Sequence, residues 1–210
     1  MEEHGQRRGL LIVLEGVDGA GKTTQADAIE AWVRASGRDV VRSREPTQGV
    51  YGQRLRRSML EGRLEPEEEL ELFLNDRREH VEQVIAPALE AGAVVVLDRY
   101  YFSTVAYQGA RGFDCDELMA RNEAFAPAPD LLLILDLEPE QGIGRVRARS
   151  DQPPDTFEIP DKLRRSRAIF LQLGARLPYA EVIDAGRGCE AVREEILGHV
   201  RALTLNSPAA

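Results

Sequence analysis

Five short apolar runs recur along the chain, separated by longer stretches whose apolar residues follow a helical spacing. The runs are Leu10–Leu14, Val40–Val41 ahead of Ser43 and Arg44, Ala93–Leu97, Leu131–Leu135, and Ala180–Asp184 around Val182 and Ile183. Continuous apolar runs, rather than alternating ones, suit strands buried on both faces. The intervening pattern predicts helices over about 22–37, 66–91, 114–126, 139–150, 160–177 and 188–204. Strands alternating with helices predict an α/β fold: a five-stranded parallel sheet flanked by helices on both faces.

No internal repeat or linker divides the chain, so residues 1–210 read as one domain. The helical pattern breaks at Ser150–Asp155, which includes Pro153 and Pro154, and predicts a short lid over about 147–158. Residues 1–9 and 205–210 read as flexible tails. In sheets of this kind ligands bind beyond the carboxyl ends of the strands. The search therefore narrows to Glu15-Gly16, Arg44-Glu45-Pro46, Asp98-Arg99, Asp136 and Asp184-Ala185.

The first of these ends carries a recognisable chemistry. Gly16-Val17-Asp18-Gly19-Ala20-Gly21-Lys22-Thr23 fits GxxxxGK[ST], with a strand before it and a helix after it. Glycines let the backbone wrap closely around phosphates, and the amides with the following helix N-terminus face the anion. Lys22 brings a compact charge to the β- and γ-phosphates, and the Thr23 hydroxyl can ligate Mg²⁺. The fold class sharpens to a P-loop NTPase type that binds a nucleoside triphosphate. GTPases, ATPases and small-molecule kinases share this loop, but no NKxD guanine motif occurs.

Composition trims the remaining classes. A net charge of −9 argues against a general nucleic-acid binder. The apolar runs are too short to span a bilayer, and the polar first nine residues lack the apolar core of a signal peptide. Cys115 and Cys189 read as small apolar fillers in a reducing compartment, which predicts a cytoplasmic protein. Of 27 basic residues only Lys22 and Lys162 are lysines. Codon bias accounts for most of the 25 arginines. Lys22 is explained by the loop, and Lys162 has no such account.

Further motifs follow in order: Arg44-Glu45-Pro46, then Phe73 with Asp76-Arg77, then Asp98-Arg99-Tyr100 with Ser103-Thr104 and Tyr107-Gln108-Gly109, then Arg145, Arg147 and Arg149. Together with the phosphate loop through Thr24 and Gln25, they resemble the thymidylate kinases over about residues 10–185. The resemblance implies ATP-dependent phosphorylation of dTMP to dTDP, with Mg²⁺, in a homodimer. It places Arg99 and Arg44 at the acceptor phosphate and Glu45 and Pro46 in the acceptor loop. Phe73 would stack on thymine, and Arg77 would donate to its exocyclic oxygen. Thr104 and Gln108 would contact base or sugar, with Tyr107 under the sugar. Asp18 would lie between the two nucleotides, Asp98 would orient the metal shell, and Arg145 with the loop Asp184–Gly186 would meet adenine.

Physical chemistry agrees with this set. An acceptor phosphate is already a nucleophile, so transfer needs positioning and positive charge rather than a strong base. Simpler readings stand beside it: Phe73 as core beside Leu70 and Leu74, Asp76–Arg77 as a solvated pair, Tyr107 as core, and the arginine series as a basic helix end. One class of thymidylate kinases carries a basic residue inside the phosphate loop, and another supplies it from the lid. Gly19 and Ala20 place this chain with the second, with Arg149 the leading catalytic arginine.

Three departures bear on detail. Thr156 stands where the lid often has arginine, residues 47–52 replace the usual Gly-Gly-Thr, and Pro153-Pro154 stiffens the lid. Gly49 and Gly52 are expected to let the altered loop turn. Two other functions remain compatible: a deoxynucleoside or other small-molecule kinase using Asp18, Glu45 or Asp98 as base, and a nucleotide-binding regulator without turnover.

Overall fold

The structure is a computed structural model, and it describes residues 8–62, 64–148 and 160–205. Five parallel strands form one sheet: β1 (Leu10–Glu15), β2 (Val40–Arg44), β3 (Val94–Asp98), β4 (Leu131–Asp136) and β5 (Ala180–Asp184), in the order β2-β3-β1-β4-β5. Helices α1 (Lys22–Ala35) and α9 (Cys189–Leu205) cover one face; α3 (Pro66–His80), α5 (Tyr101–Gly109), α6 (Cys115–Glu123) and α8 (Pro160–Arg176) cover the other. The remaining helices are α2 (Val50–Glu61), α4 (Ala86–Glu90) and α7 (Pro139–Arg147).

Alternate residues of each central strand enter opposite cores. Leu10, Ile12 and Leu14 pack with Ile29, Val33 and Ile196, while Leu11 and Val13 pack with Leu70, Phe102 and Phe170. This double burial is why the runs are continuously apolar; each such side chain contributes about 1.5–3 kcal/mol. The edge strands β2 and β5 are only partly covered, which explains the weaker pattern at Val40–Arg44.

The predicted 66–91 helix is one continuous helical stretch, but a π-helical turn, Val81–Ile85, interrupts it between α3 and α4. Pro87 follows at once. A proline lacks the amide for the i−4 bond and clashes with that carbonyl, and the widened turn relieves both. Two helices escape the hydrophobic pattern altogether, α2 and α5. Cys189 is exposed rather than a buried filler, whereas Cys115 is half-buried against the core. No helix among the described residues is long and apolar enough to cross a membrane.

Candidate functional site

The candidate site lies at the carboxyl ends of β1, β2 and β3. Val17 and Ala20 of the phosphate loop are buried, anchoring it above β1. Lys22 Nζ donates to the carbonyls of Gly16 and Val17, each at 2.9 Å, so the ammonium is held within the loop. Burial and the nearby Arg99 charge lower its pKa to about 8. Thr23 Oγ1 donates to Asp98 Oδ2 at 2.5 Å, joining the start of α1 to the end of β3. Thr24 is half-buried on the first turn of α1.

Gly19 leaves no room for a side chain. A Cβ there would lie 2.3 Å from the carbonyl oxygen of Gly142, and one on Gly142 would lie 2.3 Å from that of Asp18. The loop and α7 thus meet backbone to backbone. Arg145 extends this seam, donating to the carbonyls of Gly19 at 3.4 Å and Ala185 at 3.0 Å. It therefore bridges the phosphate loop and the loop after β5, where adenine was expected.

Arg99 follows β3 with φ of 72°, a left-handed backbone rarely adopted by residues with a side chain. Glu15, wholly buried, holds the chain there. Its carboxylate accepts from the amides of Tyr100 (2.8 Å) and Ser103 (2.9 Å) and from the Ser103 hydroxyl (2.6 Å). It thereby satisfies the first donors of α5 and complements the helix N-terminus. Burial raises the Glu15 pKa, offset only in part by the Arg99 charge and the Ser103 hydrogen bond. So held, Arg99 donates to Ser103 Oγ at 2.9 Å and to Asp18 Oδ1, with its guanidinium 5.3 Å from the Tyr107 ring centre.

Beside Arg99 opens a cavity of about 310 Å³. Asp18, Arg44, Glu45, Pro46, Phe73, Arg77, Arg99, Thr104, Tyr107 and Gln108 all line it, so the assigned acceptor residues converge on one space. Phe73 is half-buried at its wall, whereas its helix neighbours Leu70 and Leu74 belong to the core. Asp76 and Arg77 are not a solvated surface pair: they are 2% and 1% exposed. Arg77 Nε and Nη2 donate to Glu45 Oε2 at 2.9 and 2.6 Å, Nη1 donates to Asn122 Oδ1 at 2.5 Å, and Nη2 donates to Thr104 Oγ1 at 3.2 Å. Burial opposes the charge on Glu45, but Arg77 and a His80 hydrogen bond more than offset it, holding the carboxyl below the usual range.

Asp76 serves the acceptor loop, accepting from the Thr47 amide (2.8 Å) and hydroxyl (2.6 Å). The altered segment 47–52 does not turn by means of left-handed glycines. Gly49 precedes α2 in an extended conformation, and Gly52 lies inside α2. Gly52 is required by proximity, since a Cβ would lie 2.1 Å from the Thr47 carbonyl oxygen. Arg56 closes the loop from α2, donating to the carbonyls of Pro46 (2.9 Å) and Thr47 (2.6 Å).

The cavity also contains residues that sequence reasoning did not assign: Arg56, Ser103, Arg111, Lys162, Leu163 and Ser166. Lys162, unexplained in the sequence, lines it from the first turn of α8. Arg147 is exposed at the end of α7. Arg149, Pro153, Pro154 and Thr156 lie outside the described residues.

The donor set fits Mg²⁺. Thr23 and Asp98 would offer oxygen ligands beside the phosphate loop, where the Thr23 hydroxyl and the Asp98 carboxylate already meet. A hard cation bound through one or two protein oxygens and substrate phosphates matches that arrangement.

The description "Thymidylate kinase" belongs to the family model that matches residues 14–196. A thymidylate kinase of Xanthomonas campestris pv. campestris (strain B100) is 53% identical over 184 residues, covering 88% of this chain and 79% of that protein. One from Xanthomonas oryzae pv. oryzae (strain PXO99A) is 52% identical with the same coverage. A thymidylate kinase of Xylella fastidiosa (strain M23) is 48% identical over 192 residues, covering 91% of the chain and 87% of the relative. With the phosphate loop, the Arg99 platform and the lined cavity in one place, and the match spanning nearly all the described sheet, this chain belongs to the thymidylate kinase family.

Proposed function

We propose that this protein transfers the γ-phosphoryl group of ATP to dTMP, giving dTDP and ADP, with the acceptor in the cavity beside Arg99. The observation that carries this reading is the convergence of Arg44, Phe73, Arg77, Arg99, Tyr107 and Gln108 on that cavity, next to the phosphate loop. Phe73 offers a flat apolar wall for a base. Arg77 and Gln108, both buried, offer polar groups, and Arg44 and Arg99 offer planar cationic forks for a phosphate.

Lys22, held by two loop carbonyls, presents its ammonium to the donor's β- and γ-phosphates. Arg99 orients the acceptor phosphate oxygen for attack on the γ-phosphorus while ADP leaves with the β–γ bridging oxygen. Asp18, paired to Arg99, keeps that guanidinium turned toward the phosphate loop. Thr23 and Asp98 would hold Mg²⁺, which when bound offsets the charge on the donor's phosphoryl oxygens. Arg145, and Arg149 from the lid, would bring further positive charge. Tyr107 beneath the sugar would disfavour a ribose 2′-hydroxyl. A cytoplasmic homodimer is part of the same reading.

The test is ADP formation with ATP and Mg²⁺ over a panel of dTMP, dUMP, CMP, AMP and nucleosides. dTMP is expected to give the highest kcat/KM. Preference for a nucleoside over its monophosphate would refute the reading, and no ADP with any acceptor would favour a regulator.

A further inference from the structure

Arg77 has five N–H donors. Four are engaged within the protein, by Glu45 (twice), Asn122 and Thr104, which leaves one Nη1 hydrogen for a ligand in the cavity. Which way that hydrogen points depends on Glu45. One carboxylate oxygen, Oε2, takes both Arg77 donors; the other, Oε1, lies 3.0 Å from Nδ1 of His80. His80 is itself 4% exposed, and its Nε2 lies 2.7 Å from the Ser43 hydroxyl on β2. His80 ends α3 where the helix widens into the π turn, Val81–Ile85, so a fixed backbone feature sets where its ring sits.

A carboxylate oxygen can only accept, so Nδ1 must carry a proton to bond with Oε1. In the neutral ring Nε2 is then an acceptor, and the Ser43 hydroxyl can fill that role as donor. The chain Ser43–His80–Glu45–Arg77 is thus directional: hydroxyl to imidazole, imidazole to carboxylate, carboxylate clamping guanidinium. A low-dielectric interior strengthens such a series and makes a gap in it costly.

We infer that His80 is a positioning residue for acceptor-base recognition: through its Nδ1–H it fixes the Glu45 carboxylate, which in turn aims the remaining Arg77 donor into the cavity. His80 touches neither substrate in this scheme. It rests on the reading of Arg77 as a base contact, and the experiment separates the two.

Asparagine places an N–H where His80 Nδ1 stands, whereas glutamine reaches the Nε2 position and leaves Glu45 Oε1 without a donor. His80→Asn is therefore expected to keep KM for dTMP within about twofold of wild type, and His80→Gln to raise it about tenfold. In His80→Gln, kcat and KM for ATP should hardly change, because binding rather than transition-state stabilisation is weakened. Arg77→Met should raise KM for dTMP at least as much. If Arg77→Met raises that KM and both His80 variants leave it unchanged, or raise it equally, His80 does not position the clamp. The same conclusion follows if His80→Gln raises KM for ATP as much as for dTMP. If Arg77→Met leaves KM for dTMP unmoved, the site reading itself fails. Should His80→Gln not fold, ¹⁵N NMR of the wild-type imidazole decides: Nδ1 is expected to be protonated, and an unprotonated Nδ1 would overturn the inference.

Discussion

Asp18 and Arg99 are ion-paired across the mouth of the site, Nη2 of Arg99 donating to Oδ1 of Asp18. The phosphate loop and the residue after β3 are therefore coupled by a charge-assisted contact at the wall of the cavity. An acceptor phosphate placed at Arg99 has to share that guanidinium with Asp18. Because the planar fork presents N–H groups in fixed directions to Asp18 and to a phosphate, which a compact ammonium on a shorter reach does not reproduce, Arg99→Lys is expected to lower kcat/KM for dTMP by about ten- to hundredfold. Steady-state kinetics measures this, and a loss under about threefold would remove Arg99 from the acceptor phosphate.

Lys22 carries the clearest pH dependence. Its pKa is lowered to about 8, chiefly by burial and then by Arg99. The charged form is the one that meets phosphates, and it is lost as pH rises through that value. For ATP, kcat/KM, which reports the free enzyme, should fall above about pH 8, while kcat should hold to higher pH because bound phosphates favour the ammonium. A flat kcat/KM profile to about pH 9.5 would contradict this. Lys22→Arg should be nearly as damaging as Lys22→Ala, since the ammonium is seated between two carbonyls 2.9 Å away.

Glu45 links the site to stability. Its carboxyl lies below its ordinary value of 4.5 because Arg77 and His80 offset the cost of burial. A depressed carboxylate contributes stability that is present above the unfolded value, here pH 4.5 and higher, and lost as pH falls through the native value. Glu45→Ala leaves Arg77 buried without a counter-charge and should cost about 3–5 kcal/mol. Thermal unfolding at about pH 7 measures the loss, and wild type and variant should converge in Tm as acid protonates Glu45.

Lys162, an exposed residue of α8, lines the cavity beside Arg99 with no hydrogen bond or ion pair among the described residues. Lys162→Ala should raise KM for dTMP roughly threefold, the scale of an exposed charge contact, and the effect should shrink at high salt. An unchanged KM at low ionic strength would make it an ordinary surface lysine.

The sequence made the local features legible and left the distant ones hidden. The phosphate loop is readable because its chemistry is contiguous, and β1, β3 and β4 because double burial forces unbroken apolar runs. α5 was not readable. Tyr101, Phe102, Thr104, Val105 and Tyr107 are residues that favour strands, and burial around much of the helix erases its periodicity. Its start is fixed by Glu15, distant in sequence from the amides it caps. α2 was missed for the opposite reason: Leu55 is a fully buried apolar side chain among many polar neighbours, while Val50 and Leu60 are exposed. Arg77 was identified, but its burial among Glu45, Asn122 and Thr104 was not, because those partners come from three other segments. Arg56, Arg111 and Ser166 entered the cavity the same way, by tertiary placement with no motif of their own.

The contact between Gly19 and Gly142 restricts how this enzyme can be equipped. A side chain at position 19 would drive its Cβ to 2.3 Å from a backbone oxygen of α7, and backbone cannot swing aside as a side chain can. Grafting an arginine at position 19 would therefore unseat α7 from the phosphate loop. Gly19→Arg should lower activity, unless α7 is redesigned with it.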